Sequence, residues 1–188
     1  MQSQSPRLSR RSFIGGIAGG PLLMRAPAWA ASPNSQSWQS DIDLLRDAFE
    51  TLHPGLYRYR TRQHIAQDFE RLNASWRRSI GLAEAYLSLS QFLATLRCGH
   101  SYANFFNQKK AITDQLFAPL PRLPFAFHWL GQDMVVTNNF SSDTGLQPGT
   151  RILEINGQSA AQILAQTLPY ARADGGNDAK RRALLEMR

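Results

Sequence analysis

A change of hydrophobic period at Gly99 constrains this chain more than any other feature. Upstream, apolar residues recur every three or four positions. Ile42, Leu45, Phe49 and Leu52 share one helical face. So do Ile65, Phe69, Leu72 and Trp76, and so do Leu82, Tyr86, Leu89, Phe92, Leu93 and Leu96. Downstream, "PFAFHWL" alternates, with Phe125, Phe127 and Trp129 on one side and Ala126, His128 and Leu130 on the other. A spacing of three to four marks a helix burying one stripe, and a spacing of two marks a strand burying one face. The chain therefore reads as α+β, a small helical bundle over 40–99 followed by a partly β region over 100–188.

Punctuation residues set the expected boundaries. The Ser/Pro/Asn/Gln-rich run 31–39 reads as a linker, and Ser40, with Asp43 three residues on, as a capped helix start. His53-Pro54-Gly55 stops that helix, because proline disfavours helical backbone in the residue before it. A second helix is expected from about Thr61 to Arg78 and a third from about Leu82 to Arg97. "HSYANFF" has strand-like composition. Gly131-Gln132-Asp133 turns "PFAFHWL" back into "MVVTNNF" as a hairpin. "LQPGTRILEINGQS" then gives a Pro-Gly turn, a short strand and an Asn-Gly turn. Helices from Ser159 to about Leu168 and from Ala179 to Met187 follow, the latter capped by Asp178, with "DGGND" a loop between them.

The chain carries a formal charge of +7, but its first 30 residues hold Arg7, Arg10, Arg11 and Arg25 and no acid. Removing those four from 21 basic residues leaves 17 against 14 acidic ones, a net +3. So small an excess gives no reason to expect a nucleic-acid partner, and Lys180-Arg181-Arg182 reads as a solvated helix face. Residues 1–30 instead have the order of an export signal: the Arg10-Arg11 pair, an apolar glycine-rich stretch too short to span a bilayer, then Ala28 and Ala30 at small-residue positions. The segment resembles a twin-arginine signal, which implies cleavage after Ala30 and a periplasmic or secreted protein with no stable membrane span after signal removal.

Several chemistries have no signature. There is no H-E-x-x-H, no paired-cysteine motif, no P-loop and no G-x-S-x-G. The four histidines have no ligand-like spacing, so neither a metal nor another cofactor is expected. Asp174 to Asp178 lacks the spaced oxygens and distant glutamate of a calcium loop and reads as a plain turn. Cys98 is the single cysteine, so no internal disulfide is possible, and it reads as a small core hydrophobe.

Three segments carry a resemblance to the S41 peptidases, the tail-specific or C-terminal-processing proteases. "LRDAFETLHPGLYRY" resembles a helix closed by His-Pro with an aromatic exit. "LATLRCGHSYANF" resembles the short Gly-His-Ser/Thr segment after the family's N-terminal helices. "LQPGTRILEINGQSAAQIL" resembles the strand-turn-helix of its PDZ-like module. The resemblance covers about Ser40 to the end of the chain. It implies peptide-bond hydrolysis by a serine held in a catalytic core downstream of this module, so the chain is expected to be an N-terminal fragment, inactive alone, with a peptide or unfolded protein as substrate. The last helix supports this, since Leu184, Leu185 and Met187 need a partner surface. No Gly-rich carboxylate-binding loop of a fuller PDZ domain is present.

In tricorn-like members of the family a histidine of the helical region is the general base, and His100 is the residue here that matches. An imidazole titrates in the right range to take a serine proton. Gly99 would allow a sharp bend beside it, and Ser101 could orient its ring. In members that use a serine–lysine pair this position is structural, and a histidine after a helix-ending glycine is also an ordinary capping arrangement. His53 reads as a helix stop packed by Tyr57 and Tyr59, and His128 and the Trp129 face read as structural. The competing functional reading is a non-catalytic periplasmic PDZ-like module that binds extended peptide by strand addition. Oligomeric state is left open.

Overall fold

The computed structural model describes residues 35–77, 80–118 and 122–186. The signal residues Arg10, Arg11, Ala28 and Ala30 lie outside them. Among the described residues the protein is mixed α+β, with six α-helices, a three-stranded antiparallel sheet and a two-stranded ribbon.

Helix α1 spans Ser35–Leu52. It begins five residues before the expected start, so Ser40 lies inside it and part of the expected linker is helical. The reason is Trp38, whose ring meets Trp76 edge-on at 4.9 Å. Trp38, Ile42, Leu45 and Phe49 form one stripe on the first hydrophobic core. That stripe continues to His53 rather than to Leu52, which is 76% exposed. Pro54 then ends the helix as expected.

Helix α2 spans Arg62–Trp76 and is capped by Thr61, whose hydroxyl accepts from the His64 N–H. Its expected face is its buried face: Ile65, Phe69, Leu72 and Trp76 are all in the core. Helix α3, Leu82–Thr95, closes the bundle through Phe92 and Leu93, with Phe69 and Phe92 ring centroids 4.6 Å apart. Each such side chain contributes roughly 1.5–3 kcal/mol by leaving water.

One buried charge sits in this bundle, and hydrophobic periodicity could not reveal it. Asp68 is 3% exposed. Arg60 donates to it at 2.7 Å, Arg71 and the Thr95 hydroxyl also donate, and α2, α3 and the segment before α2 are thereby joined.

The segment 100–109 is turn and coil, not strand, and an unexpected helix α4, Lys110–Phe117, follows it. Phe105 and Tyr86 pack edge-on against Phe117, so the aromatic residues of "HSYANFF" serve helix contacts rather than a sheet. The hairpin forms as expected. Strands β1, Phe125–Leu130, and β2, Asp133–Asn139, pair around Gly131, which has φ +67°. Phe125, Phe127 and Trp129 make the second core with Met134 and Val136. A register shift at Ala126/Phe127 buries Ala126 as well.

Strand β3, Arg151–Ile152, adds to β2. The ribbon β4–β5, Glu154–Ile155 with Gln158–Ser159, turns on Asn156 and Gly157, both at positive φ, as an Asn-Gly turn requires. Ser159 caps α5, Ala160–Thr167, through a capping box with Gln162. A 3-10 turn, Leu168–Tyr170, leads to α6, Asp178–Leu184. Asn177, not Asp178, caps α6, accepting from the Lys180 N–H. Among the described residues no helix is long and apolar enough to cross a membrane.

Asp68 yields the first prediction. Asp68→Ala lowers unfolding stability by about 2 kcal/mol, since three donors lose a buried acceptor. The urea midpoint should fall with an unchanged slope. A shift worth less than about 0.5 kcal/mol, the range of ordinary surface changes, would show that the carboxylate holds nothing together.

Candidate functional site

Two helix ends, α1 and α3, meet the loop before α6 and enclose a cleft of about 800 Å³ lined by His53, Cys98, His100, Ser101 and Asp174 among others. The α1 end contributes His53. Its ring stacks on Phe49 at 5.4 Å, and its Nδ1 accepts from the Gly55 N–H at 3.2 Å. A neutral imidazole whose Nδ1 accepts must carry its proton on Nε2. That Nε2 faces the Ser101 hydroxyl at 3.3 Å, across 48 positions of sequence. His53 is therefore a donor to Ser101, and in this tautomer it cannot take the Ser101 proton. It is more than a helix stop, because it orients a hydroxyl in the cleft.

The α3 end contributes the rest. The helix stops at Thr95, and Arg97 adopts the left-handed conformation with φ +53°. The bend expected at Gly99 is thus made at Arg97, and the role of Gly99 is close approach. Its N–H donates to Asp174 Oδ1 at 2.8 Å. A Cβ on Gly99 would lie 2.7 Å from Asp174 Oδ2. The Gly175 N–H donates to the Arg97 carbonyl at 3.0 Å, so the two loops are joined by two bonds. That second bond helps hold a non-glycine residue in a conformation that ordinarily costs 1–2 kcal/mol.

His100, the expected base, is exposed at the cleft. One of its ring nitrogens, the Cys98 sulfur and an Asp174 oxygen all lie within 4.8 Å of one another. Ser101 was the expected partner for this ring, but its hydroxyl is engaged with His53, and the carboxylate available to orient His100 is Asp174. The other two histidines are elsewhere. His64 bonds Thr61, and His128 pairs with Glu186 at 2.7 Å, joining β1 to the residues after α6.

Cys98 is half-buried and belongs to neither hydrophobic core, which corrects its reading as a core hydrophobe. Its partial burial pushes the thiol pKa up. Hydrogen bonds from the Ser101 hydroxyl, the His100 and Ser101 backbone N–H groups and the His100 ring outweigh that and hold it below its ordinary value. The Ser101 hydroxyl that lowers the thiol pKa is the one that faces His53 Nε2. The Asp174 carboxyl pKa is also lowered, chiefly by the Gly99 N–H; desolvation opposes this, and Lys180 and His100 add to the lowering.

Sequence reasoning missed His53, Cys98 and Asp174 as parts of one site. The available signal was the shortness of the loop carrying Asp174 between two capped helices. Comparison with family models, with curated proteins and with solved structures finds no match to the chain.

The lowered thiol pKa makes a pH-dependent prediction. A lowered thiol pKa means more thiolate near neutrality, so iodoacetamide should alkylate Cys98 in the folded protein at a lower pH midpoint than in the urea-unfolded chain. Ser101→Ala removes a donor to the thiolate and moves the folded midpoint upward. A midpoint that stays put in this variant would remove Ser101 from the account.

Proposed function

We propose that this chain is the N-terminal portion of an exported S41-type serine peptidase, in which the helical region and a PDZ-like module bring an extended peptide to a serine nucleophile carried outside the described residues. One observation carries the reading. The two helical segments that resemble the family, one ending in His53-Pro54 and the other in Gly99-His100-Ser101, close on the same cleft, where His53 meets Ser101. The third segment supports it too, with turns at Gly149 and at Asn156-Gly157 ahead of a capped helix.

In this reading His100 is the general base. It accepts the serine proton as the oxygen attacks the scissile carbonyl, and returns it to the departing amine as the acyl-enzyme forms. Water then attacks the acyl-enzyme by the same route. Asp174 orients the imidazole and stabilises the imidazolium, the usual task of the third group in such a set. Ser101 is not the nucleophile, because the hydrogen on His53 Nε2 points at it. The export signal at Arg10-Arg11, with cleavage after Ala30, belongs to the same proposal, and the mature protein should begin at Ala31.

The test compares this chain with the product of the gene's complete reading frame on an unstructured reporter peptide. This chain should give no turnover. The complete product should turn over, and His100→Ala should cut its kcat by 10²–10⁴-fold, the range for a lost acid–base group. Turnover by this chain alone, or full activity in His100→Ala, overturns the assignment. Tight peptide binding without cleavage by either protein would favour the non-catalytic PDZ-like module instead.

A further inference from the structure

We infer that Cys98, His100 and Asp174 form a site for a thiophilic divalent cation, with zinc as the reference ion and a coordination position left open toward the cleft. The inference stands apart from the peptidase reading, because it needs only the three side chains and the loops that carry them.

The ligand chemistry is the first ground. A thiol sulfur, an imidazole nitrogen and a carboxylate oxygen are the three donor types zinc takes, and here they lie within 4.8 Å of one another. Zinc bonds of about 2.0–2.3 Å put tetrahedral donors roughly 3.5 Å apart, so side-chain rotation suffices to close the set. Three protein ligands with the fourth position free is the arrangement of an accessible rather than a structural site.

The second ground is the support behind the ligands. Asp174 Oδ1 accepts from the Gly99 N–H at 2.8 Å, which fixes the carboxylate and leaves Oδ2 as the ligand atom. Metal-binding carboxylates usually carry such an outer hydrogen bond. Gly99 sits between the two protein ligands of its own loop, and any larger residue there would put a Cβ 2.7 Å from that same Oδ2. The Gly175 N–H to Arg97 carbonyl bond holds the two loops in register.

Lys180 gives the site a distinctive property. Its Nζ lies 3.7 Å from Asp174 Oδ2, where it occupies part of the field a cation would fill. A metal must displace this ammonium, and the lysine, which is exposed, is free to swing away. Zinc binding is therefore weakened by Lys180. A metal at this position also uses the His100 nitrogen, so occupancy withdraws that imidazole from proton transfer.

The experiment uses untagged chain, freed of metal with a chelator and titrated with zinc against a chromophoric competitor, and separately with cobalt(II) to detect a thiolate-to-cobalt charge-transfer band. The expected result is one equivalent bound with the band present. Cys98→Ser should abolish the band, and His100→Ala and Gly99→Ala should each weaken zinc binding at least tenfold. Lys180→Gln should tighten it severalfold. Circular dichroism checks the fold of each variant, and Lys180→Gln, at an exposed position, keeps the test open if a site variant fails to fold. No binding at micromolar zinc overturns the site, as does binding of several equivalents without the band. Unchanged affinity in Lys180→Gln also overturns it, by removing Asp174 from the ligand set.

Discussion

The pair of hydrogen bonds between the α3 exit and the loop before α6 organises the rest of the cleft. Gly99 gives its N–H to Asp174, and Arg97 takes one from Gly175, across 75 positions of sequence in the first case. Neither bond is large, since an exposed hydrogen bond exchanges one with water. Their weight comes from geometry. Together they fix where a carboxylate, an imidazole and a thiol sit relative to one another, on backbone that no regular element would otherwise constrain. The left-handed Arg97, the glycine at 99 and the glycine at 175 are all consequences of bringing two loops this close. A Cβ at Gly175 would meet the Tyr59 ring at 3.4 Å, so the aromatic exit of α1 presses on the same junction.

The two histidines of the cleft illustrate how placement divides roles. His53 is fixed on three sides, by Phe49, by the Gly55 N–H and by Ser101, and its proton is assigned by the backbone. It can hold a hydroxyl in place but has no free lone pair to offer. His100 is exposed, with Cys98 and Asp174 close to its ring. Its ring is open to the cleft because of that exposure. The same residue type is thus a fixed orienting group on one wall and an exposed group on the other.

Much of the scaffold was legible because one physical signal dominates it. The stripe on α2 and the alternation of β1 are burial patterns, and burial is what apolar spacing records. The Asn156-Gly157 turn was legible for a different reason, because its backbone conformation admits few residue types. Failures cluster where a residue's role is set from a distance. Ser and Gln around Trp38 look like linker until Trp76 is seen to receive the ring. The aromatic residues after His100 suggest a strand, yet Phe105 packs on Phe117 and Tyr102 lies under the Arg172 guanidinium. Asp68 is polar in a helix whose period already explains its fold, so nothing local marks its burial. The site itself was half legible: His100 came from a local motif, whereas Asp174 looked like turn chemistry and reaches Gly99 only in three dimensions.

The long span between Cys98 and Asp174 also dictates an order of events during synthesis. The buried residues of the first core, Ile42 to Leu96, all precede residue 100, and Ala103 packs against them from just beyond it. The cleft is different, because one wall is not yet made when the other is finished. A ribosome that has released the bundle must still produce the hairpin, the ribbon and α5 before the carboxylate arrives. Until then the thiol and imidazole at the end of α3 face solvent without their third neighbour. The nascent protein therefore passes through a folded but chemically incomplete stage, and the site closes only once the loop carrying Asp174 has been made.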